Sequence, residues 1–305
     1  MGLHTWDIPQ LVQTILTGLV LFPAMAIFAL VLSKPGAKHD YTLKWVDFTK
    51  VAFGLWSASH LFSFIASIML LVIFSRQYWG HSLEIDIISY FYVVSLFLDI
   101  GAQVTFFLAI FYLAHAFTQL RIGAGANETQ QFRIGQKGAL GVSALLALIA
   151  LAVFSLGVAM VAMLSSTRGS GNFNDYDTIV RINIAREYLY YINLGILTVT
   201  ALAVTVYAIA ARRKERDSPV AKAATLLLVS ASLWLSTLLW TVISILVARF
   251  APFPSAYRYM MVIDVFLRVW PSFATLLVLY LLASSDSYGL SRIHYRVNDD
   301  EEQDA

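Results

Sequence analysis

The sequence predicts an all-α membrane protein, a polytopic bundle of seven transmembrane helices. Hydrophobic residues make up 59% of the 305 residues and charged residues only 13%, and the mean hydropathy is +0.70. A water-soluble domain of this size is far more polar. The apolar residues form repeated runs of about 20 or more, the length that a helix needs to cross a hydrocarbon core of about 30 Å. This composition excludes a soluble enzyme and a nucleic-acid-binding protein.

Each apolar run has the length of a helix, and none alternates polar and apolar residues with a period of two. Because lipid offers no hydrogen-bond partners to the backbone, helices are the only structure consistent with these runs. The predicted spans, in chain order, are Pro9–Ser33, Val46–Phe74, Ile87–Leu120, Gly138–Leu164, Glu187–Ala211, Ala223–Ala248 and Tyr259–Ala283.

Individual spans carry their own signals. The first and the last contain Pro23 and Pro271, which predict kinks. The second and third are longer than a bilayer requires, so they are expected to tilt or to project beyond the headgroups. The fourth is largely Ala, Leu and Val, with Gly141 and Gly157 as positions of close helix approach. The fifth contains Asn193 as a mildly polar residue.

Basic residues orient the predicted bundle. The connections after the first, third and fifth spans and the tail after the seventh hold 13 Lys and Arg, whereas the N-terminus and the other three connections hold six. Cytoplasmic loops carry such an excess. We therefore expect the N-terminus outside and the C-terminus in the cytosol. Residues 1–290 form one seven-helix domain, followed by an acidic, disordered tail at 291–305. The Gly/Asn/Asp-rich connection Ser165–Arg186 is expected to be a solvated linker or, as the alternative, a lid.

Four ionisable residues that lie inside spans, from the centre to the outer half, are the candidate functional groups. They are His60 in the second span, Asp99 in the third, and Asp264 and Arg268 in the seventh. A charge at that depth costs roughly 2.5–3.5 kcal/mol, so each should face the bundle interior and have a partner. Because successive spans run in opposite directions, all four come to a similar depth. One polar pocket could therefore hold them.

Asp99 is the best candidate for a functional acid, because no basic residue lies one turn away in its own helix. We predict Asp99, Asp264 and His60 as catalytic residues. For two of them a structural interpretation stays open. Asp264 and Arg268 stand four residues apart, which permits a self-neutralised pair, and a lone histidine such as His60 is often simply bonded to a neighbouring helix.

Four further residues are predicted to contact a substrate or ligand. Gln103 lies one helical turn from Asp99 and could orient its carboxyl group. Arg268 supplies the buried positive charge. Trp56 and Trp270 fall inside spans, and their aromatic faces would suit a cation. The chain has no cysteine, which removes disulfides and thiolate metal sites. No metal or cofactor is expected.

Seven spans are common to several functional classes. Light-driven retinal proteins need a lysine in the last span, and Tyr259–Ala283 contains none. A G-protein-coupled receptor agrees with the outward N-terminus. However, Thr118–Arg121 stands where an acidic-Arg-aromatic triplet is expected, and Trp270–Ala274 stands where an Asn-Pro-x-x-Tyr sequence is expected. A divergent receptor remains open. A transporter would more often show internal repeats, and none is evident.

The compact seven-span layout, the aromatic content and the buried acids resemble the small integral-membrane terpene cyclases of fungal meroterpenoid pathways. The resemblance depends on Asp264 in the last span and on Asp99 or His60 in earlier ones. It implies that a buried acid protonates an epoxide or alkene of a prenylated substrate while aromatic faces stabilise the carbocation. In those enzymes the second span carries a Glu, whereas here it has His60 and no Glu.

Two hypotheses follow. The first is an intramembrane enzyme that cyclises or isomerises a lipid-soluble, isoprenoid substrate by acid initiation. The second is a seven-span, receptor-like protein without catalysis. Both place the chain in a membrane, either the endoplasmic reticulum or the plasma membrane. Both predict the lipid bilayer and a hydrophobic small molecule as partners, and no nucleic acid.

Overall fold

The computed structural model describes residues 7–34, 36, 43–75, 82–122, 130–170, 173–214, 221–250 and 254–284. All regular structure in these ranges is helical, and seven segments are long and apolar enough to cross a membrane. The predicted fold class, an all-α protein with seven membrane spans, is confirmed. The chain is a multi-pass membrane protein. The orientation remains a prediction, and the predicted tail at 291–305 lies outside the described residues.

Eight α-helices make up the seven spans. They are α1 (Asp7–Leu32), α2 (Lys44–Ser75), α3 (Ser82–Ile122), α4 (Gln130–Ser170), α5 (Phe173–Lys214), α6 (Ala221–Phe250), α7 (Pro254–Asp264) and α8 (Trp270–Ser284). A π-helical turn, Val265–Val269, joins α7 to α8, and the three together form the seventh span.

The π turn in the seventh span follows from Pro271. Proline has no N–H group, and its ring clashes with the carbonyl group four residues earlier, here that of Leu267. A wider turn relieves this clash: the N–H of Trp270 donates to the carbonyl oxygen of Val265, five residues back. The last span is thus irregular at its proline, as predicted. Pro23, in contrast, lies within α1, which stays helical on both sides of it.

The helices α3, α4 and α5 extend far beyond the hydrocarbon core. They contain 41, 41 and 42 residues. At a rise of 1.5 Å per residue this is about 60 Å, twice the thickness that a span must cover. The predicted connection Ser165–Arg186 is therefore wrong both as a linker and as a lid, since α4 continues to Ser170 and α5 begins at Phe173. A helix satisfies its own backbone in water as in lipid, so polar side chains alone do not end it.

Consecutive spans pack antiparallel. Gly18 early in α1 faces Phe64 late in α2, and Gly54 early in α2 faces Phe28 late in α1. A Cβ atom at either glycine would lie 3.1–3.2 Å from the ring, so both positions allow close packing. We call the side of the bundle on which α1, α3 and α5 begin the N-terminal face, and the opposite side the C-terminal face.

The central helix α3 contacts α2, α4, α5 and α6 and changes character along its length. From Gln103 to Phe117 every residue except Thr105 and Phe111 is buried. Between Ser89 and Asp99 most residues are only half-buried. The tight apolar core therefore fills the half of the bundle toward the C-terminal face, and the predicted polar residues lie where this core ends.

Candidate functional site

Three charged side chains form a triad in the membrane interior. The Nε and Nη2 atoms of Arg268 each lie 2.9 Å from Oδ2 of Asp264. Its Nη1 atom lies 3.7 Å from Oδ2 of Asp99 on α3. Both predicted pairings are therefore present: the intrahelical pair, and a partner for Asp99 from another span. The carboxylates of Asp264 and Asp99 thus share the guanidinium group of Arg268, and Asp264 is the closer of the two.

Asp264 is held by two elements. It is the last residue of α7, and Arg268 follows four residues later in the π turn, so the pair lies on one face of the seventh span. From the neighbouring helix α6, the indole N–H of Trp240 donates to Oδ1 of Asp264 over 3.2 Å. Each carboxylate oxygen thus has a partner, and the side chain has a defined orientation.

His60 belongs to the same region but bonds to its own helix. Its Nδ1 atom lies 2.9 Å from the carbonyl oxygen of Trp56, which fixes Nδ1 as the donor. The imidazole stacks on the Trp56 ring with centroids 4.0 Å apart. His60 is buried and within electrostatic range of Asp99. Trp56 is fully buried, and its indole N–H has no hydrogen-bond partner among the described residues.

Gln103 and Trp270 were predicted to contact a substrate or ligand, and the structure gives both of them other surroundings. The side-chain oxygen of Gln103 accepts a hydrogen bond from the indole N–H of Trp234 over 2.8 Å, joining α3 to α6. This contact uses Gln103 for packing between helices rather than for orienting Asp99. Trp270 is 40% exposed and lies against the exposed ring of Phe266, with centroids 5.3 Å apart. It therefore faces the outer surface of the bundle and not the triad.

A partly open cleft of about 280 Å³ adjoins the triad between α1, α5, α6 and the seventh span. Asp264 and Arg268 line it, and Asp99 is not among its lining residues. The other polar lining groups are Gln13, Tyr190, Thr241 and Ser244, and the apolar ones are Ile245, Ala248, Met260 and Met261. Most of these residues lie in the half of the bundle toward the N-terminal face.

The site also includes residues that the sequence alone did not indicate. Tyr190 lines the cleft and lies within electrostatic range of Arg268, Asp99 and Asp264. Gln13 is a polar residue in an apolar run, the same signal that singled out Gln103. For Tyr190 and Trp240 the sequence offered no comparable signal, because aromatic residues are frequent in every part of the bundle.

The charge balance of the triad determines what it can bind. Counting both carboxyl groups as ionised and His60 as neutral, two negative charges stand against one positive charge. Among the described residues no group of three or more His, Cys, Asp or Glu side chains is arranged to hold a metal ion. The groups available to a ligand are therefore the carboxylate of Asp264 and the guanidinium of Arg268, at the wall of a small polar cleft.

Comparisons with known proteins returned no relative for this geometry: no protein-family model, no curated protein and no solved structure matches the chain. The seven long apolar helices agree with the layout of a seven-span membrane protein.

Proposed function

We propose that this protein is a receptor-like seven-span membrane protein that binds a small amine in the cleft beside Asp264 and Arg268. The observation that carries the proposal is the sharing of one guanidinium group by Asp99 and Asp264. With His60 neutral, this group has a net negative charge. A net charge inside a membrane is costly, and a bound cation cancels it.

Asp264 offers the cation a binding position. Its Oδ2 atom accepts a hydrogen bond from Nε of Arg268 and forms an ion pair with Nη2, and its Oδ1 atom accepts a hydrogen bond from Trp240. A carboxylate has about four lone-pair sites, so capacity remains for a donor in the cleft. The hydroxyl oxygens of Thr241 and Ser244 add further acceptors for an ammonium group. The ring of Tyr190 supplies an aromatic face that suits a cation.

The unequal distances within the triad suggest how binding is transmitted. Arg268 lies closer to Asp264 than to Asp99. A cation that pairs with Asp264 weakens the hold of this carboxylate on Arg268 and favours closer pairing with Asp99. Because Asp99 lies on α3 and Arg268 in the π turn, the ligand would change the contact between the third and seventh spans. Such an exchange is a two-state element that a ligand can bias.

The size and lining of the cleft also favour binding of a small ligand over cyclisation. Its volume of about 280 Å³ is at the small end for ligand pockets, and six of its ten lining residues are polar. A cyclase acting on a prenylated substrate needs an apolar cavity that excludes water. A partly open cleft whose lining includes two charged side chains meets the needs of a small amine better.

Acid-initiated cyclisation or isomerisation of a prenylated or isoprenoid substrate is the second candidate function. It is favoured by the loose pairing of Asp99, 3.7 Å from Arg268, near the stacked rings of His60 and Trp56. The face of Trp56 would suit a developing positive charge. Against this candidate, proton donation by Asp99 or Asp264 would break the ion pair with Arg268 that stabilises each carboxylate in the membrane.

Thermal unfolding of the purified full-length protein in neutral detergent tests the amine proposal. We expect small primary and quaternary amines to raise the Tm by about 2–4 °C, because a ligand that binds only the folded state stabilises it. Neutral alcohols of the same shape should have no effect. Asp264→Asn should abolish the shift, since it removes the negative charge in the cleft at nearly constant volume.

Asp177→Asn provides the matched control. Asp177 pairs with Arg181 at the same spacing of four residues and the same distance of 2.9 Å, but on the exposed surface of α5. This variant should keep the full amine shift. An equal shift in wild type and Asp264→Asn would contradict the binding site. Conversion of a prenylated epoxide by the wild type, lost in Asp99→Asn, would instead favour the enzyme.

A further inference from the structure

A second cleft lies on the C-terminal face, between the end of α5 and the start of α6, and has a volume of about 470 Å³. Its lining residues are Ile209, Arg212 and Arg213 from α5 and Ala221, Thr225 and Leu228 from α6. None of them belongs to the charged triad or to the cleft beside it. The two clefts are therefore separate features of the bundle.

The lining of this second cleft is charged at one end and apolar at the other, along the direction of the membrane normal. Arg212 and Arg213 are exposed and lie in the last turn of α5. Ile209 precedes Arg213 by one helical turn, and Leu228 lies about two turns inside α6. The guanidinium groups therefore border the C-terminal face, and the apolar side chains border the hydrocarbon region.

The start of α6 adds to the positive potential at the basic end. Ala221 is the first residue of α6, and the first N–H groups of a helix have no partner within the helix, which gives this end a partial positive charge. The first turn of α6 contains no acidic residue. Arginine binds phosphate oxygens through two parallel hydrogen bonds, so two adjacent guanidinium groups suit a phosphate.

We propose that this cleft binds the phosphate of an anionic phospholipid between Arg212 and Arg213, with the start of an acyl chain along Ile209 and Leu228. A soluble phosphate would use the basic end alone and leave the apolar wall unoccupied. A phospholipid would contact both parts of the cleft: its phosphate would lie at the arginines near the membrane surface, and its acyl chain would lie along the apolar wall toward the hydrocarbon region. This inference is independent of the amine site.

Native mass spectrometry of the full-length protein in neutral detergent tests the proposal, with phosphatidic acid, phosphatidylcholine and inorganic phosphate as separate probes. We expect retention of phosphatidic acid, little retention of phosphatidylcholine, and no displacement of phosphatidic acid by an equal concentration of inorganic phosphate. The double variant Arg212→Gln/Arg213→Gln should bind phosphatidic acid about 30-fold more weakly, which corresponds to about 2 kcal/mol. Both side chains are exposed, so the variant should fold normally.

The double variant Lys214→Gln/Lys222→Gln is the matched control. It removes two positive charges that flank the cleft in sequence but do not line it. Its affinity should stay within about threefold of wild type, because neither lysine lines the cleft that holds the phosphate. Equal losses in the two double variants would overturn the site, as would failure of the wild type to retain phosphatidic acid. Displacement by equimolar inorganic phosphate would reassign the cleft to a soluble phosphate.

Discussion

Two Asp–Arg pairs in this chain have the same spacing and the same closest N···O distance but different surroundings. Asp177–Arg181 on α5 and Asp264–Arg268 in the seventh span both join residues four apart, and both have an N···O distance of 2.9 Å. The side chains of the first pair are 68% and 78% exposed, and those of the second are 21% and 36% exposed. Among the described residues, only the second pair has a further carboxylate, that of Asp99, within reach.

At equal spacing and equal closest distance, we expect the surroundings of an ion pair to decide what it contributes to stability. Asp177 and Arg181 lie near the start of a helix far longer than the bilayer, and an exposed pair contributes about 0–1 kcal/mol. Asp264 and Arg268 are the sixth and tenth residues of the seventh span, Tyr259–Ser284, where losing one partner leaves a charge that lipid cannot solvate. Four predictions test or refine this contrast, in order of decreasing effect.

The largest effect is expected from Arg268→Leu, which leaves Asp99 and Asp264 without their shared cation. We expect a loss of about 3–5 kcal/mol in the free energy of unfolding and a sharp fall in the yield of monodisperse protein. The double variant Asp264→Leu/Arg268→Leu removes one charge of each sign and should recover the part of the loss that Asp264 causes, whereas Asp99 stays without its cation. Chemical unfolding and size-exclusion profiles would measure both. Equal damage from the single and double changes would contradict the role of the pair.

Parallel double-mutant cycles would compare the two pairs directly. Each cycle uses Asp→Asn and Arg→Gln at one pair and reports the coupling energy between the two side chains. We expect about 2 kcal/mol or more for Asp264 with Arg268 and less than about 1 kcal/mol for Asp177 with Arg181. Similar coupling energies at the two sites would mean that burial has no part in the difference.

Trp234→Phe tests how much a buried contact contributes to stability when neither side chain is charged. This change removes the donor that Gln103 uses, and both residues are buried and neutral. We expect a loss of about 1–2 kcal/mol in the free energy of unfolding, the cost of an unsatisfied buried acceptor. Pairing it with Gln103→Met removes that acceptor as well and should restore part of the stability. A neutral effect of Trp234→Phe alone would show that Gln103 finds another donor.

The smallest effect is expected from Asp177→Asn. Because both side chains are exposed, we expect a change of less than about 0.5 kcal/mol that disappears at high salt, where surface charges are screened. Melting curves at low and high salt would measure it. A large, salt-independent loss would indicate that this part of α5 contacts another part of the protein or a partner.

Much of the candidate site could be predicted because lipid restricts where charges lie. His60, Asp99, Asp264 and Arg268 stand out in apolar runs, and antiparallel spans bring them to one depth. The contact between Asp99 and Arg268 agrees with this reasoning. The partner of Gln103 and the outward position of Trp270 could not be predicted, because both depend on the rotation of each helix about its axis.

By itself the sequence determined that this chain forms seven membrane-spanning helices, since lipid leaves an apolar backbone segment no other way to satisfy its hydrogen bonds. It also determined which charges need partners in the interior. The partners of these charged residues, the positions of the clefts and the ends of α4 and α5 follow from the tertiary structure and not from the sequence pattern. Hydropathy predicts how deep a residue lies in the membrane. Which side chains contact each other depends instead on the rotation of each helix about its axis and on local irregularities such as the π turn before Pro271.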